Sequence, residues 1–423
     1  MTSRRKELLS EASTVGTTSS SLRADVADSL LLLDLLNNEN ADSEFESSLT
    51  LEQQLGRLLS TRSIISTTSS FAEQQQAASN GVETFRLIGW GACGAIYAQD
   101  GSSSVLKLAK MDDRQLWTDY LMNTRAWEAL KRIPEISEEV HIPQPNYYVP
   151  KKEEGWWAKN QHLFPSDSAV HLPTAVLCTQ RILPLPSEIR RKLIEKFCSS
   201  RNRSDALTSS GNKDCLVRIY LGSRQGKVGG KFFSLRNFKL HLNQMIELEM
   251  PTFQLAEFMA GALAAMHWKA RIDARDVEFV LGSAPTYPLI KPLTLSELEE
   301  TEPDTYTEMK VCRKSNFTQR SVHLWMLDFN QCGVISMDML GVQQAVQAYL
   351  INDPYYPRPP QSDENDHDLA LWNVFATKYL CISDAILRET PELRDLPRKF
   401  VQLVIKEQGE KVKKQREAAT ASA

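Results

Sequence analysis

Three glycines and one lysine are the residues whose types and spacing point most directly to chemistry. Gly89, Gly91 and Gly94 follow a G-x-G-x-x-G pattern, and Lys107 comes a short stretch later. Glycines let the backbone approach phosphate groups closely because they carry no side chain, and a lysine ammonium can bind the phosphate oxygens. The spacing therefore predicts a phosphate-binding loop.

The residues after the third glycine decide which kind of phosphate-binding loop the pattern represents. In a dinucleotide-binding fold, a helix begins at the last glycine of the pattern. Here Asp100-Gly101 predicts a tight turn, and Val105–Leu108 has the composition of a strand that carries Lys107. The segment therefore predicts short strands joined by turns, with the lysine on the last strand, and argues against a dinucleotide site.

Carboxylates at three places could complete a site for phosphoryl transfer, which needs metal-binding and acceptor-orienting carboxylates besides the phosphate loop. Asp276 follows Arg275 just beyond the most apolar helical segment, and Asp328 ends a strand-like run. Glu128 lies on the helix predicted after Lys107 and could pair with it, although a glutamate on a helix face is often solvated. We therefore expect Asp276 to orient an acceptor, Asp328 to bind a metal ion and Glu128 to hold the lysine.

Two further carboxylates and several simpler alternatives stay open. Asp273 competes with Asp276 for the acceptor-orienting role, and Glu278 could be an oxygen ligand for magnesium or an exposed loop carboxylate. Taken singly, Asp276 beside an arginine is typical of a surface ion pair, and an Asp-Phe-Asn sequence at Asp328 is typical of a turn. Their joint occurrence in the expected order favours the functional interpretation.

Helix and strand patterns around these residues predict the elements that must position them. Phe253–Lys269 is the most apolar helical segment and leads directly to Asp273 and Asp276. Residues 183–186, Leu-Pro-Leu-Pro, interrupt the pattern as a hinge between two lobes would. The other predicted elements are the helix Asp113–Leu130, the strands Ala175–Ile182, Cys215–Leu221 and Val322–Leu327, and the helices Val342–Leu350 and Leu369–Leu387.

The two ends of the chain differ in composition from its central part. Residues 1–80 are rich in Ser, Thr, Asn, Gln and Glu, and we expect them to be disordered because they cannot bury enough apolar surface. Leu22–Leu36 and Leu49–Leu59 have helical spacing and could bind a partner protein or pack on the folded domain. We predict an N-lobe with the glycine loop at 81–185, a C-lobe with insertions at 186–405 and a charged tail at 406–423.

Composition limits the class of protein. The formal net charge is −4, so no overall basic field favours nucleic acid as a partner, and no run of about 18 apolar residues predicts a membrane helix. The seven cysteines are scattered without a C-x-x-C pair, so we expect reduced thiols and no structural zinc. We therefore expect a soluble protein of the cytoplasm or the nucleus.

Several segments of the sequence resemble a fungal protein family that is defined by a domain of unknown function. Some members of that family are labelled zinc-finger proteins. The segments are CLVRIYLG, FSLRNFKLHL, MHWKARIDARDVEFVLG, LWMLDFNQC and YYPRP. Over Phe85–Leu387, the order of motifs is also similar to the protein-kinase-like superfamily, nearer to the aminoglycoside and choline phosphotransferases than to protein kinases. This resemblance implies an α+β, bilobal fold with a small antiparallel sheet in the N-lobe and a mainly helical C-lobe.

The kinase-like resemblance also implies ATP and magnesium as cofactors and a role for each candidate residue. Gly89, Gly91 and Gly94 would cover the phosphates, and Lys107 would bind them. The carboxylates would divide the remaining roles: Glu128 would orient the lysine, Asp276 the acceptor hydroxyl, and Asp328, with Glu278, would hold magnesium.

Three departures from the kinase pattern leave catalysis open. Ala274 stands where the histidine of His-Arg-Asp is expected, and the asparagine expected several residues after Asp276 is absent. Asn330 replaces the glycine of Asp-Phe-Gly but can adopt left-handed geometry. Two hypotheses follow: an ATP- and magnesium-dependent phosphotransferase acting on a small molecule or a protein, or a non-catalytic binding module in fungal signalling or gene regulation.

Overall fold

The computed structural model describes residues 48–61, 64–66, 84–91, 93–99, 102–230, 232–286, 316–352, 354–359 and 366–421. The predicted turn at Asp100-Gly101 and the leucine-rich segment Leu22–Leu36 lie outside these residues. The chain divides into two units, Met1–Gln54 and Leu55–Ala423. In the first unit, the described residues begin helix α1 (Leu51–Leu59), where Thr50 and Gln53 exchange backbone-to-side-chain hydrogen bonds as a capping box.

The second part of α1 belongs to the larger unit and packs there through its leucines. Leu55, Leu58 and Leu59 are buried, and Gly56 lies directly against the carbonyl oxygen of Leu248, where a side chain would not fit. Leu55–Leu59 therefore packs within the larger unit, and binding of a partner protein stays a prediction.

The glycines and Lys107 lie in a five-stranded antiparallel sheet with the order β2-β3-β4-β7-β6. Its strands are β2 (Arg86–Trp90), β3 (Gly94–Ala98), β4 (Ser104–Ala109), β6 (Pro145–Val149) and β7 (Val176–Gln180). Successive side chains of a strand point to opposite faces. Leu106 and Leu108 are buried in a core with Tyr97 and Val176, so the other face of β4 carries Lys107.

Helix α2 (Asp113–Lys131) follows β4 directly and confirms the helix predicted there. Asp112 caps its N-terminus by accepting a hydrogen bond from the backbone N–H of Arg114. The helix buries one face: Leu116, Asp119, Met122, Asn123, Ala126, Ala129 and Leu130. This face is apolar except at Asp119 and Asn123, which therefore need polar partners inside the protein.

A second sheet of six strands has the order β1-β11-β10-β8-β9, with β5 added in parallel beside β11. Its strands are β1 (Ile64–Ser66), β5 (Val140–His141), β8 (Val217–Tyr220), β9 (Phe238–His241), β10 (Glu278–Thr286) and β11 (Asn316–Leu327). The fold is α+β, as predicted, but the second half of the chain carries a whole sheet besides its helices. Val140–His141 also joins this sheet, although it precedes the boundary predicted at residue 185.

Further α-helices lie along the described part of the chain. They are α3 (Pro134–Ser137), α4 (Glu154–Asn160), α5 (Ser187–Phe197), α6 (Arg203–Thr208), α7 (Leu242–Glu247), α8 (Thr252–Ala264), α9 (Met339–Ile351), α10 (Asp366–Ile386) and α11 (Asp395–Ala421). The buried helix α8 packs against α10, as its apolar sequence predicts, and α9 packs against α11. None of the helices in the described ranges is both long and apolar enough to span a membrane.

The C-terminal residues differ from the predicted solvated tail. Helix α11 continues through residue 421, and Gln408 is buried within the tail predicted at 406–423. Lys411 also donates a hydrogen bond to the carbonyl oxygen of Leu350 at the end of α9. The charged composition of this segment reflects one solvated face of a packed helix.

Candidate functional site

A cavity of about 180 Å³ lies between the two sheets and brings most of the candidate residues together. One wall comes from Ile88–Gly91, Ile96, Val105 and Lys107 of the first sheet, with Asp119 and Asn123 of α2. The opposite wall includes Leu216, Arg218, Glu278, Val280, Leu327 and Asp328. The cavity therefore has apolar side chains on both walls and a cluster of charged groups.

Lys107 is held between two carboxylates at this cavity. Its Nζ lies 2.6 Å from Oδ2 of Asp119 and 2.8 Å from Oδ1 of Asp328. The other oxygen of Asp119 accepts a hydrogen bond of 2.9 Å from the backbone N–H of Phe329. Asp119 thus links strand β4 to the turn that follows β11, and it fixes both Lys107 and Asp328.

These distances correct the prediction that Glu128 pairs with Lys107. Glu128 is exposed, and within the described residues Lys107 forms its ion pairs with Asp119 and Asp328. Glu128 follows Asp119 by two and a half helical turns, so it projects from the opposite side of α2. The sequence did contain a signal for the true partner: Asp119 is an acidic residue on the apolar face of the helix, where a buried charge needs a partner of opposite charge.

The buried charges shift one another's pKa values. Burial alone would lower the pKa of Lys107, but Asp119 and Asp328 raise it well above its ordinary value. Burial raises the pKa of Asp119, and Lys107 opposes this shift. Two carboxylates around one ammonium leave one net negative charge, which a metal ion at Asp328 would compensate.

The hairpin between β2 and β3 carries the three glycines, which contact different groups. Gly94 lies against Lys107: a side-chain carbon at this position would lie 2.9 Å from Cγ of the lysine. Gly91 donates its N–H to the carbonyl oxygen of Gly94, while Lys110 donates to the carbonyl oxygen of Gly91 and lies over the ring of Trp90. The hairpin tip is thus held by protein groups, and Gly89 and Gly91 line the cavity.

The loop that joins α8 to β10 carries the two competing aspartates. A π-helical turn (Ala265–Ala270) extends α8, and such turns occur often at functional sites. Arg271, Ala274 and Asp276 then have positive φ angles, and so does Asp328 at the end of β11. Residues other than glycine are strained when φ is positive, and such conformations persist where the surrounding structure fixes them, often at active sites.

Asp273 and Asp276 differ in their surroundings. Oδ1 of Asp273 accepts hydrogen bonds from the backbone N–H groups of Arg275 and Gly333, and Oδ2 accepts one from Gln344. Asp276 is partly exposed, and one of its oxygens accepts a single hydrogen bond of 2.5 Å from Gln331. Asp273 therefore ties two loops together, whereas Asp276 keeps oxygen lone pairs open.

Asn352, at the end of α9, clamps the loop that carries Asp276. Its Oδ1 accepts the backbone N–H of Asp276, and its Nδ2 donates to the carbonyl oxygens of Ala274 and Val277. The asparagine is buried, so these bonds are shielded from water. Sequence reasoning missed this residue, since the contact joins positions far apart in the chain.

Glu278 begins β10 and forms an ion pair with Arg218 of β8, at 2.8 Å. Burial raises the pKa of Glu278 to about 7; Arg218 opposes this shift, and Asp328 and Asp276 add to it. The pKa of Asp276 is also raised, by burial and by the charge of Asp328. Glu278, Asp276 and Asp328 therefore interact electrostatically, as expected for carboxylates that would share one site.

The ligand chemistry of the cavity includes one group that could hold a metal ion. Within the described residues, the Sγ of Cys93 and carboxylate oxygens of Asp119 and Asp328 lie within 4.8 Å of one another. In addition, Oδ1 of Asn123 is buried beside the cavity without a hydrogen-bond partner in the described part of the chain. An orphaned polar atom at a cavity favours a polar ligand or water there.

Comparison with protein families finds a similarity in the second half of the chain. A family model with the description DUF3669, zinc finger protein, matches residues 324–391, which include the end of β11, Asp328, α9 and the whole of α10. The chain is similar to that family over this segment, which confirms this part of the resemblance seen in LWMLDFNQC and YYPRP. No curated protein matches the chain.

The description as a zinc finger protein conflicts with our expectation of no zinc. The matched segment contains Cys332, which is buried, and Cys381, which is exposed. A structural zinc site uses four cysteine or histidine ligands. The metal-capable group found in the described part of the chain instead has one thiol and two carboxylates.

Proposed function

We propose that the cavity binds a magnesium–nucleotide complex in the manner of the kinase-like phosphotransferases. The observation that carries this proposal is Lys107 held between Asp119 and Asp328 at a cavity bordered by the glycine hairpin. The order of elements adds support: a glycine hairpin, a lysine strand, a helix carrying its acidic partner, and an aspartate after a later strand.

The charged groups fit the proposed ligand. Carboxylate oxygens are preferred magnesium ligands, so Asp328 would hold the ion, with Glu278 near it. Magnesium, when bound, would neutralise phosphate charge. Lys107 would then exchange part of its contact with Asp328 for a phosphate oxygen, while Asp119 keeps the ammonium in place.

Asp276 is the residue we assign to the acceptor. Its raised pKa and open oxygen suit a carboxylate that takes the proton of a hydroxyl. The hydroxyl oxygen would bond to the phosphorus as the bond to the departing nucleoside diphosphate oxygen breaks, and the proton would pass to Asp276. Asp273, which accepts three internal hydrogen bonds, would instead hold the loop in shape.

Glu278 is the observation that favours a non-catalytic alternative. In the kinase pattern H-R-D-x-x-x-x-N, the asparagine follows the aspartate by five residues. Counted from Asp276, that position is Leu281, which offers no metal ligand, and the nearby carboxylate of Glu278 is engaged by Arg218. If this ion pair persists with nucleotide bound, a second metal ion would lack its ligand, and the protein would bind nucleotide without transferring phosphate.

Thermal unfolding with ATP and magnesium tests nucleotide binding. A ligand that binds the native state raises the melting temperature. We expect a rise for the unsubstituted protein and for Glu128→Gln, and a much smaller one for Lys107→Met and Asp328→Ala. No rise in the unsubstituted protein would contradict both nucleotide-binding hypotheses. A rise without ATP consumption across a panel of hydroxyl acceptors would favour the non-catalytic module.

A further inference from the structure

The charged groups around the cavity are paired except at one position. The cations are Lys107, Arg181, Arg218 and Arg236, and the carboxylates are Asp119, Asp214, Glu278 and Asp328. Lys107 pairs with Asp119 and Asp328, Arg218 pairs with Glu278, and Asp214 pairs with Arg181 and with Arg86 of β2. Among the described residues, Arg236 has no carboxylate within ion-pair distance, so it gives this end of the cavity an uncompensated positive charge.

Arg236 is also held in place by its surroundings. The preceding residue, Leu235, is fully buried, and its N–H donates a hydrogen bond of 2.7 Å to Oδ1 of Asn212. The guanidinium lies beside Gly211, where a side-chain carbon would be 3.7 Å from Nη2. An arginine whose backbone is held in this way loses less conformational entropy when it binds an anion.

Buried arginine N–H groups at the cavity lack acceptors within the described part of the chain. Nε of Arg236 and Nε of Arg218 are both buried without a hydrogen-bond partner. A buried N–H without an acceptor is costly, and native structures rarely leave one unexplained. Because both residues line the same cavity, a ligand that brings oxygen acceptors would satisfy them.

We propose that Arg236 binds an anionic oxygen group of the acceptor, so that the acceptor class is small hydroxyl compounds bearing a phosphate or a carboxylate. This proposal rests on the proposed function, in which magnesium and Lys107 take the phosphates of the nucleotide. Guanidinium groups recognise planar and tetrahedral oxyanions through paired N–H donors. Arg218, which lines the same cavity, adds a second donor through its Nε.

The charges of the two ends allow each to be tested separately. Lys107, Asp119 and Asp328 together carry one net negative charge, so without a metal ion this end repels a free anion. Inorganic phosphate or succinate in EDTA therefore reports on Arg236, whereas ADP with magnesium reports on Lys107 and Asp328. The same measurement, calorimetric titration of the full chain, serves for both.

We expect inorganic phosphate, succinate or both to bind the full chain in EDTA. Arg236→Gln should weaken this binding about tenfold, the effect of one charged hydrogen bond. The control Arg201→Gln, at an exposed arginine outside the cavity, should leave it unchanged. Arg236→Lys should recover part of the affinity. The anion that binds more tightly identifies the group on the acceptor.

Three results would overturn the proposal. In the first, neither phosphate nor succinate binds the unsubstituted protein. In the second, an anion binds the unsubstituted protein and Arg236→Gln with equal affinity. In the third, Arg236→Gln loses as much affinity for magnesium–ADP as Lys107→Met does. The last would assign Arg236 to the nucleotide. If magnesium–ADP fails to bind the unsubstituted protein while phosphate binding still depends on Arg236, the proposed nucleotide function is wrong and the anion site stands.

Discussion

The two ends of the cavity are built on opposite electrostatic principles. At one end, Lys107 is enclosed by Asp119 and Asp328, and every charge has a partner at 2.6 to 2.8 Å. At the other, Arg236 is fixed by the backbone but has no ion-pair partner in the described part of the chain. The first end is stable by itself and needs a metal ion to accept an anion. The second end is ready for an anion directly.

Removing the Lys107 ammonium should disrupt the charge cluster with Asp119 and Asp328 and cause the largest loss of stability among the substitutions considered. In Lys107→Met, two neighbouring buried carboxylates lose their shared cation, so we expect the free energy of unfolding to fall by about 3 kcal/mol. Urea denaturation measures this change. Lys159→Met, at an exposed lysine, is the control, and an equal effect of both substitutions would contradict the assigned role of Lys107.

Glu278→Gln should change the pH dependence of stability. The folded protein raises the pKa of Glu278 to about 7 from the ordinary 4.5. Its contribution to stability is therefore fully present below pH 4.5 and is lost as the pH rises to 7. We expect the free energy of unfolding of the unsubstituted protein, relative to Glu278→Gln, to fall by up to about 3 kcal/mol over that interval.

The same substitution sharpens the contrast between the two ends. Without the carboxylate, Arg218 has no ion-pair partner among the described residues, and the cavity gains a second uncompensated positive charge. Inorganic phosphate in EDTA should bind Glu278→Gln more tightly than the unsubstituted protein. A pH profile of unfolding identical in both proteins would show that the carboxylate has an ordinary pKa.

A pair of substitutions on α2 tests which acidic residue serves Lys107. Asp119→Asn removes the charge that contacts Lys107 and weakens the acceptor of the Phe329 N–H, so we expect a loss of about 2 kcal/mol. Glu128→Gln changes an exposed side chain and should stay within about 0.5 kcal/mol. Urea denaturation measures both changes. Equal losses of unfolding free energy in the two variants would indicate that Glu128 also interacts with Lys107.

A substitution in the glycine hairpin should cause the smallest loss of stability. Gly94→Ala places a methyl group about 2.9 Å from Cγ of Lys107, so the lysine must shift, and we expect a loss of about 1 kcal/mol. At Gly91 the nearest atom to a new methyl group lies 3.8 Å away, so Gly91→Ala is the matched control for stability. A larger loss at Gly91 would contradict the close approach of Gly94 to Lys107.

Local patterns predicted the elements better than the partners. The strand of Lys107, the helix after it and the strand ending at Asp328 follow from hydrophobic spacing and turn residues, and the structure contains all three. The pairing with Glu128 was wrong because it relied on proximity along the chain. The helical phase of α2 separates Glu128 from the buried face that carries Asp119.

Contacts between distant segments could not be predicted from one sequence. Asn352 clamps the Asp276 loop across a separation of 76 residues, and Arg218 meets Glu278 only because β8 pairs with β10. The helix predicted as a charged tail at 406–423 shows the same limit. Its composition suits a solvated segment, and only packing near α9 determines that Gln408 is buried.

The most direct test of the central claim is the affinity for ATP, measured by calorimetric titration with magnesium and with EDTA. If Lys107 and Asp328 form a magnesium–nucleotide site, the unsubstituted protein and Glu128→Gln should bind ATP at least about tenfold more tightly with magnesium than without it. Asp328→Asn should lose this difference. Absence of ATP binding to the unsubstituted protein, or magnesium dependence that survives in Asp328→Asn, would contradict the claim.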